Sequence, residues 1–295
     1  MKRPFRRQKV ADALLGYLFI SPVILVIGTF TFFSMIYAFY LSFTKFDMFS
    51  SPLWTGLQNY RLLLGNPDFK RAMLNTVYYA VGVVPTQTLI AIGLAVLLNQ
   101  KARGIPFFRA AYFVPTITST VAASFIFMWL FLKQGVINHT LSLLHLPADN
   151  SWLENPLTAM PVLMLSAIWG TAPHFMVIFL AALQDIPQTV YEAVEIDGAN
   201  TWQSFRHVTL PLLRPAIFLV AVLGTIGTFQ VFDQMYIMTR GGPLDSTTSV
   251  VFLIWRTAFQ DFNMGYASAM AVVLFAIIYA LTILQRRTID TNIQF

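Results

Sequence analysis

The chain is organised by where its charges are missing. Between successive charged residues lie six long windows, 13–44, 72–100, 110–132, 155–184, 215–232 and 262–285, each at least 18 residues long and mostly apolar. A helix rises about 1.5 Å per residue and needs about 20 apolar residues to cross a hydrocarbon core of about 30 Å. The windows therefore predict six spanning helices. Only 11% of the residues are charged, against about 25% in soluble domains, so the chain lacks the polar covering that a soluble core requires. The expected fold class is an all-α polytopic membrane protein with six transmembrane helices, read as a single domain over 1–295. That composition excludes a soluble enzyme, a nucleic-acid binder and a disordered protein.

Shorter features fit around these spans. The apolar run Ser246–Trp255 is too short to cross and reads as interfacial or re-entrant. Window 134–148 is broken by Gln134, Gly135, Asn138, His139 and Pro147 and reads as extramembrane. The basic N-terminus could suggest a signal peptide. The apolar stretch after it is far too long for a signal h-region, so an uncleaved first span is expected, with Pro22 placed to kink it.

Lysine and arginine set the orientation. With six spans, one side collects Lys2, Arg3, Arg6, Arg7, Lys9, Lys101, Arg103, Arg109, Arg206, Arg214, Arg286 and Arg287. The other collects Lys45, Arg61, Lys70, Arg71, Lys133, Arg240 and Arg256. The richer side is expected to be cytoplasmic, with both termini and the tail 1–11 on it, in the cytoplasmic (inner) cell membrane.

The spans carry little chemistry. Ion-coupled carriers place ionisable groups inside the bilayer, whereas His174 alone falls near a span centre and Asp233 at the end of the fifth span. A carrier for a small polar solute stays open only through sodium sites built from carbonyls and hydroxyls. The sequence has no cysteine, no G-x-x-x-x-G-K-[ST] phosphate loop and no H-E-x-x-H. The four histidines lack ligand spacing, so neither a catalytic nor a metal site is expected.

The polar connector 185–211 between spans four and five is the most informative segment. Pro187 can open a helix carrying Glu192, Glu195 and Asp197. Gly198 suits a left-handed helix end. Asn200 can cap a second helix, with Gln203 completing a capping box. Trp202, Phe205 and Val208 or Thr209 follow on one face, and Leu210-Pro211 is expected to end the helix. From composition alone this elbow is equally a solvated connector or a docking knob.

Glu192-Ala193, Asp197-Gly198-Ala199, Phe205, Leu210-Pro211 and Pro215, in that spacing, resemble the EAA loop of permease subunits in binding-protein-dependent ABC importers. Gly56-Leu-Gln-Asn-Tyr60, Asn75-Thr76, Leu97-Leu98-Asn99, Phe113-Val-Pro115, Phe232-Asp233 and Met238-Thr-Arg-Gly-Gly-Pro243 are similar to the MalF/UgpA-like half of the sugar importers. Val194 departs from the motif, at a position that tolerates small apolar residues. The resemblance implies the type I importer permease fold, in a subunit that translocates a sugar or oligosaccharide. ATP and Mg would be bound by a partner ATPase, leaving no cofactor in this chain. It also implies the partners: two ATPase subunits, a MalG-like second permease subunit forming a heterodimer, an extracellular sugar-binding protein and membrane lipid, without nucleic acid. The ATPase-coupling residues would be Glu192, Ala193, Glu195, Asp197, Gly198, Ala199, Trp202 and Phe205.

A sugar pathway needs hydroxyls, amides and aromatic faces. Ala167, Gly170, Thr171 and His174 share one face of span four. Gly224, Gly227 and Thr228 share a face of span five, with Gln230 nearby. Close helix packing explains small residues at this spacing equally well, and the two readings can coexist. His174 by itself reads as an interior histidine. Gly241-Gly242-Pro243 predicts a tight turn. With loops 46–71 and 133–154, that turn is a candidate for contact with the binding protein.

Overall fold

The computed structural model describes residues 4–100 and 104–288. Lys2, Arg3, Lys101 and Arg103 of the charge tally lie outside them, as do the side chains of Arg6, Arg7 and Lys9. In chain order the elements are α1 (Pro4–Ile27), α2 (Ser34–Leu41), β1 (Thr44–Lys45), β2 (Leu53–Trp54), α3 (Gln58–Gly65), α4 (Pro67–Leu98), α5 (Ile105–Ile117), α6 (Thr120–Leu130), α7 (Val136–Leu143), α8 (Ala159–Gln184), α9 (Gln188–Ile196), α10 (Thr201–Ser204), α11 (Leu210–Leu212), α12 (Arg214–Phe229), α13 (Val250–Phe259) and α14 (Met264–Thr288). Four helical stretches are long and apolar enough to cross a membrane: Leu14–Leu41, Pro67–Leu98, Ala159–Gln184 and Met264–Thr288. The count is six when each of two bent pairs forms one span.

Both bends depart from straight spans. Window 110–132 turns by 96° between α5 and α6. Pro115 cannot donate to the helix, and Thr118 and Ser119 adopt extended backbone, so the ladder stops and restarts. The second bend, 64°, lies between α11 and α12. Leu210-Pro211 does not end the helix there, as the sequence suggested. A wide π turn over Phe205–Thr209 carries the chain through, with the Leu210 N–H bonded back to the Phe205 carbonyl, and the bend falls at Leu213.

The chain divides into two compact units. The first comprises residues 1–65 and 256–273. Pro22 lies inside α1 without ending it, and a π turn at Gly28–Phe33 joins α1 to α2. Beyond α2, β1 and β2 pair antiparallel, Thr44 opposite Trp54. Buried Asn59 fixes this hairpin, its Nδ2 donating to the carbonyls of Ser42 and Thr44 at 2.9 Å each. In the hairpin loop, the Ser50 hydroxyl and backbone N–H hold the Asp47 carboxyl below the usual carboxylate range. Gly265 closes the unit, its N–H donating to the Phe46 carbonyl at 3.2 Å. A Cβ there would overlap the Thr44 carbonyl oxygen.

The second unit comprises residues 66–255 and 274–295. Asn66 caps α4 by accepting from the N–H groups of Asp68 and Phe69, and Pro67 occupies the first turn, where a missing donor costs nothing. Two apolar clusters form along α4 and α8. One joins Tyr79 and Val83 to Met160, Leu163, Met164 and Met235. The other joins Ala91, Ala95 and Leu98 to Phe175, Phe179, Leu183 and Val220. Between them the helices carry polar groups instead. The loop 133–158 contains the short helix α7 and is tied by Asn138, which donates to the carbonyls of Lys133 and Asn150 and accepts from the Trp152 indole.

Gly265→Ala is expected to destabilise the first unit by about 1–3 kcal/mol through overpacking against backbone. Gly16→Ala, which meets open space, is expected to change little. Thermal unfolding of the detergent-solubilised protein compares the two, and equal melting temperatures would refute the close approach.

Candidate functional site

A cavity of about 330 Å³ opens in the second unit at the level between its two apolar clusters. Its walls come from α4, α8, α12, the segment that follows α12, and Thr120 at the start of α6. Of the residues singled out in the sequence, Ala167, Thr171, Gly224, Thr228 and Gln230 line it, together with Gly227. Gly170 and His174 do not. His174 is exposed in this chain, its ring edge-on to Phe175, so it is not buried as expected of an interior histidine. The i, i+3, i+4, i+7 spacing puts all four on one side of α8, yet only Ala167 and Thr171 reach the cavity.

The cavity also contains polar residues that small-residue spacing did not reveal. Tyr79 and Gln87 lie two turns apart on one face of α4. The Tyr79 hydroxyl donates to Gln234 Oε1 at 2.7 Å. Thr171 Oγ1 lies 2.6 Å from Gln87 Oε1 and 2.8 Å from the Ala167 carbonyl. One hydroxyl proton cannot serve both acceptors. Exchanging the ends of the Gln87 amide resolves this, because Gln87 then donates to Thr171 and Thr171 donates to Ala167. In either orientation the other amide end lies against Gly224, where a Cβ would sit only 2.6 Å away. Gly224 is glycine because α12 presses on this amide. The signal available in the sequence was the presence of Tyr79 and Gln87 inside an apolar run, since buried polar groups in membranes are expensive and retained for a role.

The elbow 185–211 forms a second site. Pro187 precedes α9, and Glu192, Ala193 and Glu195 lie exposed on that helix, with Asp197 as its cap residue. Gly198 has φ +77°, and the N–H groups of Gly198 and Ala199 return to the carbonyls of Glu195 and Val194. This double closure is a Schellman turn. The capping box is complete: Asn200 Oδ1 accepts from the Gln203 N–H at 2.9 Å, and Gln203 Oε1 accepts from the Asn200 N–H at 2.8 Å. Trp202 is 65% exposed, and so is Ile196, at 86%, which sequence reasoning passed over. Phe205 turns inward. It packs against the α4–α8 core and, with Tyr191, Glu195 and Ala199, lines a cleft of about 340 Å³ behind the elbow.

Asn200→Ala removes one half of the capping box and is expected to cost about 1 kcal/mol locally. Amide exchange of residues 201–204 should rise about fivefold, read by hydrogen–deuterium exchange in lipid nanodiscs. Unchanged exchange would show that the cap does not hold the elbow.

Residues 87–292 match the family described as "Binding-protein-dependent transport system inner membrane component". The probable ABC transporter permease protein YesP of Bacillus subtilis is 37% identical over 281 residues, covering 94% of this chain and 91% of YesP. The lactose transport system permease protein LacF of Rhizobium radiobacter is 33% identical, covering 92% of each chain. The trehalose/maltose transport system permease protein MalF of Thermococcus litoralis is 32% identical, covering 93% of each. A solved bacterial alginate ABC transporter, in complex with an alginate pentasaccharide-bound periplasmic protein, contains a chain of the same fold. Its TM-score is 0.83 at 22% identity, over 97% of this chain and 99% of that one. The chain belongs to the inner-membrane components of binding-protein-dependent transport systems, the permeases of ABC importers.

Proposed function

We propose that this chain is one half of the membrane channel of an ATP-driven sugar importer, working as a single permease domain beside a related, MalG-like half. The carrying observation is the elbow at 185–211, an exposed acidic and apolar tip built on a Schellman turn and a full capping box. A stiff projecting tip suits a cleft in another protein. Two separate ATPase subunits would bind ATP and Mg and grip the elbow of each half. Glu192 and Asp197 are exposed for pairing with basic residues, and Ile196 and Trp202 for an apolar pocket. Phe205 supports the tip from behind. Both termini and the elbow would face the cytoplasm, following the lysine and arginine count. ATP-driven closure of the ATPases would switch the two halves between inward-open and outward-open states.

The sugar would be delivered by an extracellular binding protein, as the family description and the alginate complex suggest. Amides, hydroxyls and aromatic rings in the cavity suit a polyhydroxylated solute, and relatives are named for lactose and for trehalose and maltose. An ion-coupled carrier would instead work without an ATPase.

Glu192→Lys reverses a charge at the tip. It is expected to weaken co-purification of the cognate ATPase about tenfold while membrane insertion stays intact. Undiminished co-purification would reject the docking role. Gly198→Val puts a β-branched residue at positive φ. ATP hydrolysis is then expected to continue while uptake of radiolabelled sugar falls, and wild-type uptake would reject the turn as a coupling element.

A further inference from the structure

Polar residues of the cavity lining lie where the fifth span breaks. Helix α12 stops at Phe229, Val231 and Phe232 are not helical, and the helix resumes at Asp233. The break brings Gln230, Asp233 and Gln234, within five residues, into the lining of the same cavity. Tyr79 fixes Gln234 through its Oε1, which leaves the amide N–H₂ of Gln234 for other acceptors. Phe232 supplies an aromatic wall, stacked on Tyr236 at 5.4 Å and held by Trp255 at 5.7 Å. Asp233 is exposed and is the one charged residue among the described residues that line the cavity. Ionisable groups within membrane spans are costly and mark solute pathways, and broken helices place such groups at the solute.

We infer that Asp233 is a specificity-determining residue, binding adjacent hydroxyls of a neutral sugar through its carboxylate and turning away sugars that carry a carboxylate or phosphate. The inference rests on the proposed sugar importer. Two carboxylate oxygens match two vicinal hydroxyl donors, and charge-assisted bonds of this kind are about twice as strong as neutral ones. Gln230 and Gln234 can donate and accept at neighbouring hydroxyls, and the Phe232 face suits the C–H side of a sugar ring. An anionic sugar would meet the same carboxylate as a like charge at close range, and like charges repel. The other described residues that line the cavity, Thr171 and Gln87 among them, carry no charge, so none of them offsets that repulsion.

The test uses the assembled complex, with partner half, ATPases and binding protein, in proteoliposomes supplied with ATP. Radiolabelled maltose, lactose and trehalose serve as neutral probes and digalacturonate as the anionic one. Wild type is expected to take up at least one neutral disaccharide and little digalacturonate. Asp233→Asn keeps the shape and removes the charge. It should lower neutral uptake about tenfold at limiting sugar and raise the anionic-to-neutral ratio by more than that factor. Asp233→Ser, smaller and uncharged, should move the ratio the same way, and co-purification of all subunits monitors assembly of both variants. An unchanged ratio in both variants overturns the inference and leaves the importer intact. Wild-type preference for digalacturonate also overturns it. Wild-type complex that moves none of the four sugars overturns the sugar-importer reading itself.

Discussion

Inside a bilayer a backbone group that leaves the helix ladder finds no water to bond, so every break must be repaired by protein. The second unit obeys this closely after α12. Where the helix opens, the Ser249 hydroxyl donates to the Val231 carbonyl at 2.8 Å. Farther on, Asn75 Nδ2 donates to the carbonyls of Asp245 and Thr248, and Thr76 Oγ1 accepts from the Val250 N–H. Thr247 and Thr248 bond back to the carbonyls of Gly242 and Gly241 across the Gly-Gly-Pro turn. The irregular stretch from Gln230 to Ser249 is thus anchored by side chains from α4 and by its own threonines and Ser249. Because those anchors carry the repair, the open backbone can face a cavity without unravelling the span.

The same constraint explains where the cavity lies. Along both α4 and α8, large apolar residues fill the seam above and below, and the amide–hydroxyl pair of Gln87 and Thr171 occupies the gap between. A polar pair there costs stability unless each group is satisfied. Thr171 is satisfied on its own helix and across to α4, while one end of Gln87 is left against Gly224. Polar groups at this level fit a pathway better than a seam that merely packs. Small residues contribute too, since Gly224 lets α12 approach the amide, so packing and lining are one feature of the sequence seen from two sides.

Local chemistry was legible in the sequence and cross-helix geometry was not. Gly198, Asn200 and Gln203 announced a left-handed turn and a capping box, because both devices act within five residues and depend on residue type alone. Five of the seven residues proposed for the pathway line the cavity, four of them from the small-residue pattern and Gln230 from its place beside it. The failures share a cause. Whether His174 faces in or out, whether Phe205 meets a partner or its own core, and which hydroxyl Gln87 meets are set by neighbours dozens of residues away. The bend at Thr118–Ser119 was hidden because hydropathy averages over residue order, and a window of apolar residues reads alike whether straight or turned by 96°. Tyr79 and Gln87 stand out as polar residues in an apolar run, but residue type alone does not say which neighbouring helix each one meets.

A single helix connects the two sites. From the bend at Leu213 to the break at Gln230, α12 runs 16 residues, about 24 Å at the usual helical rise. Its beginning follows the elbow directly, and its end carries Gly224, Thr228 and Gln230 into the cavity. The elbow is tied to that start by Tyr191 and Thr209, whose hydroxyls lie 3.2 Å apart, and Leu213 is fully buried in the core that α9 and the π turn pack against. Displacement of a stiff elbow would therefore pass into α12 as a rigid movement rather than be absorbed in a flexible loop. On the proposed reading, the capped turns keep the applied motion from dissipating, α12 transmits it, and the repaired break lets the cavity end of the span change shape while the clusters on either side stay packed.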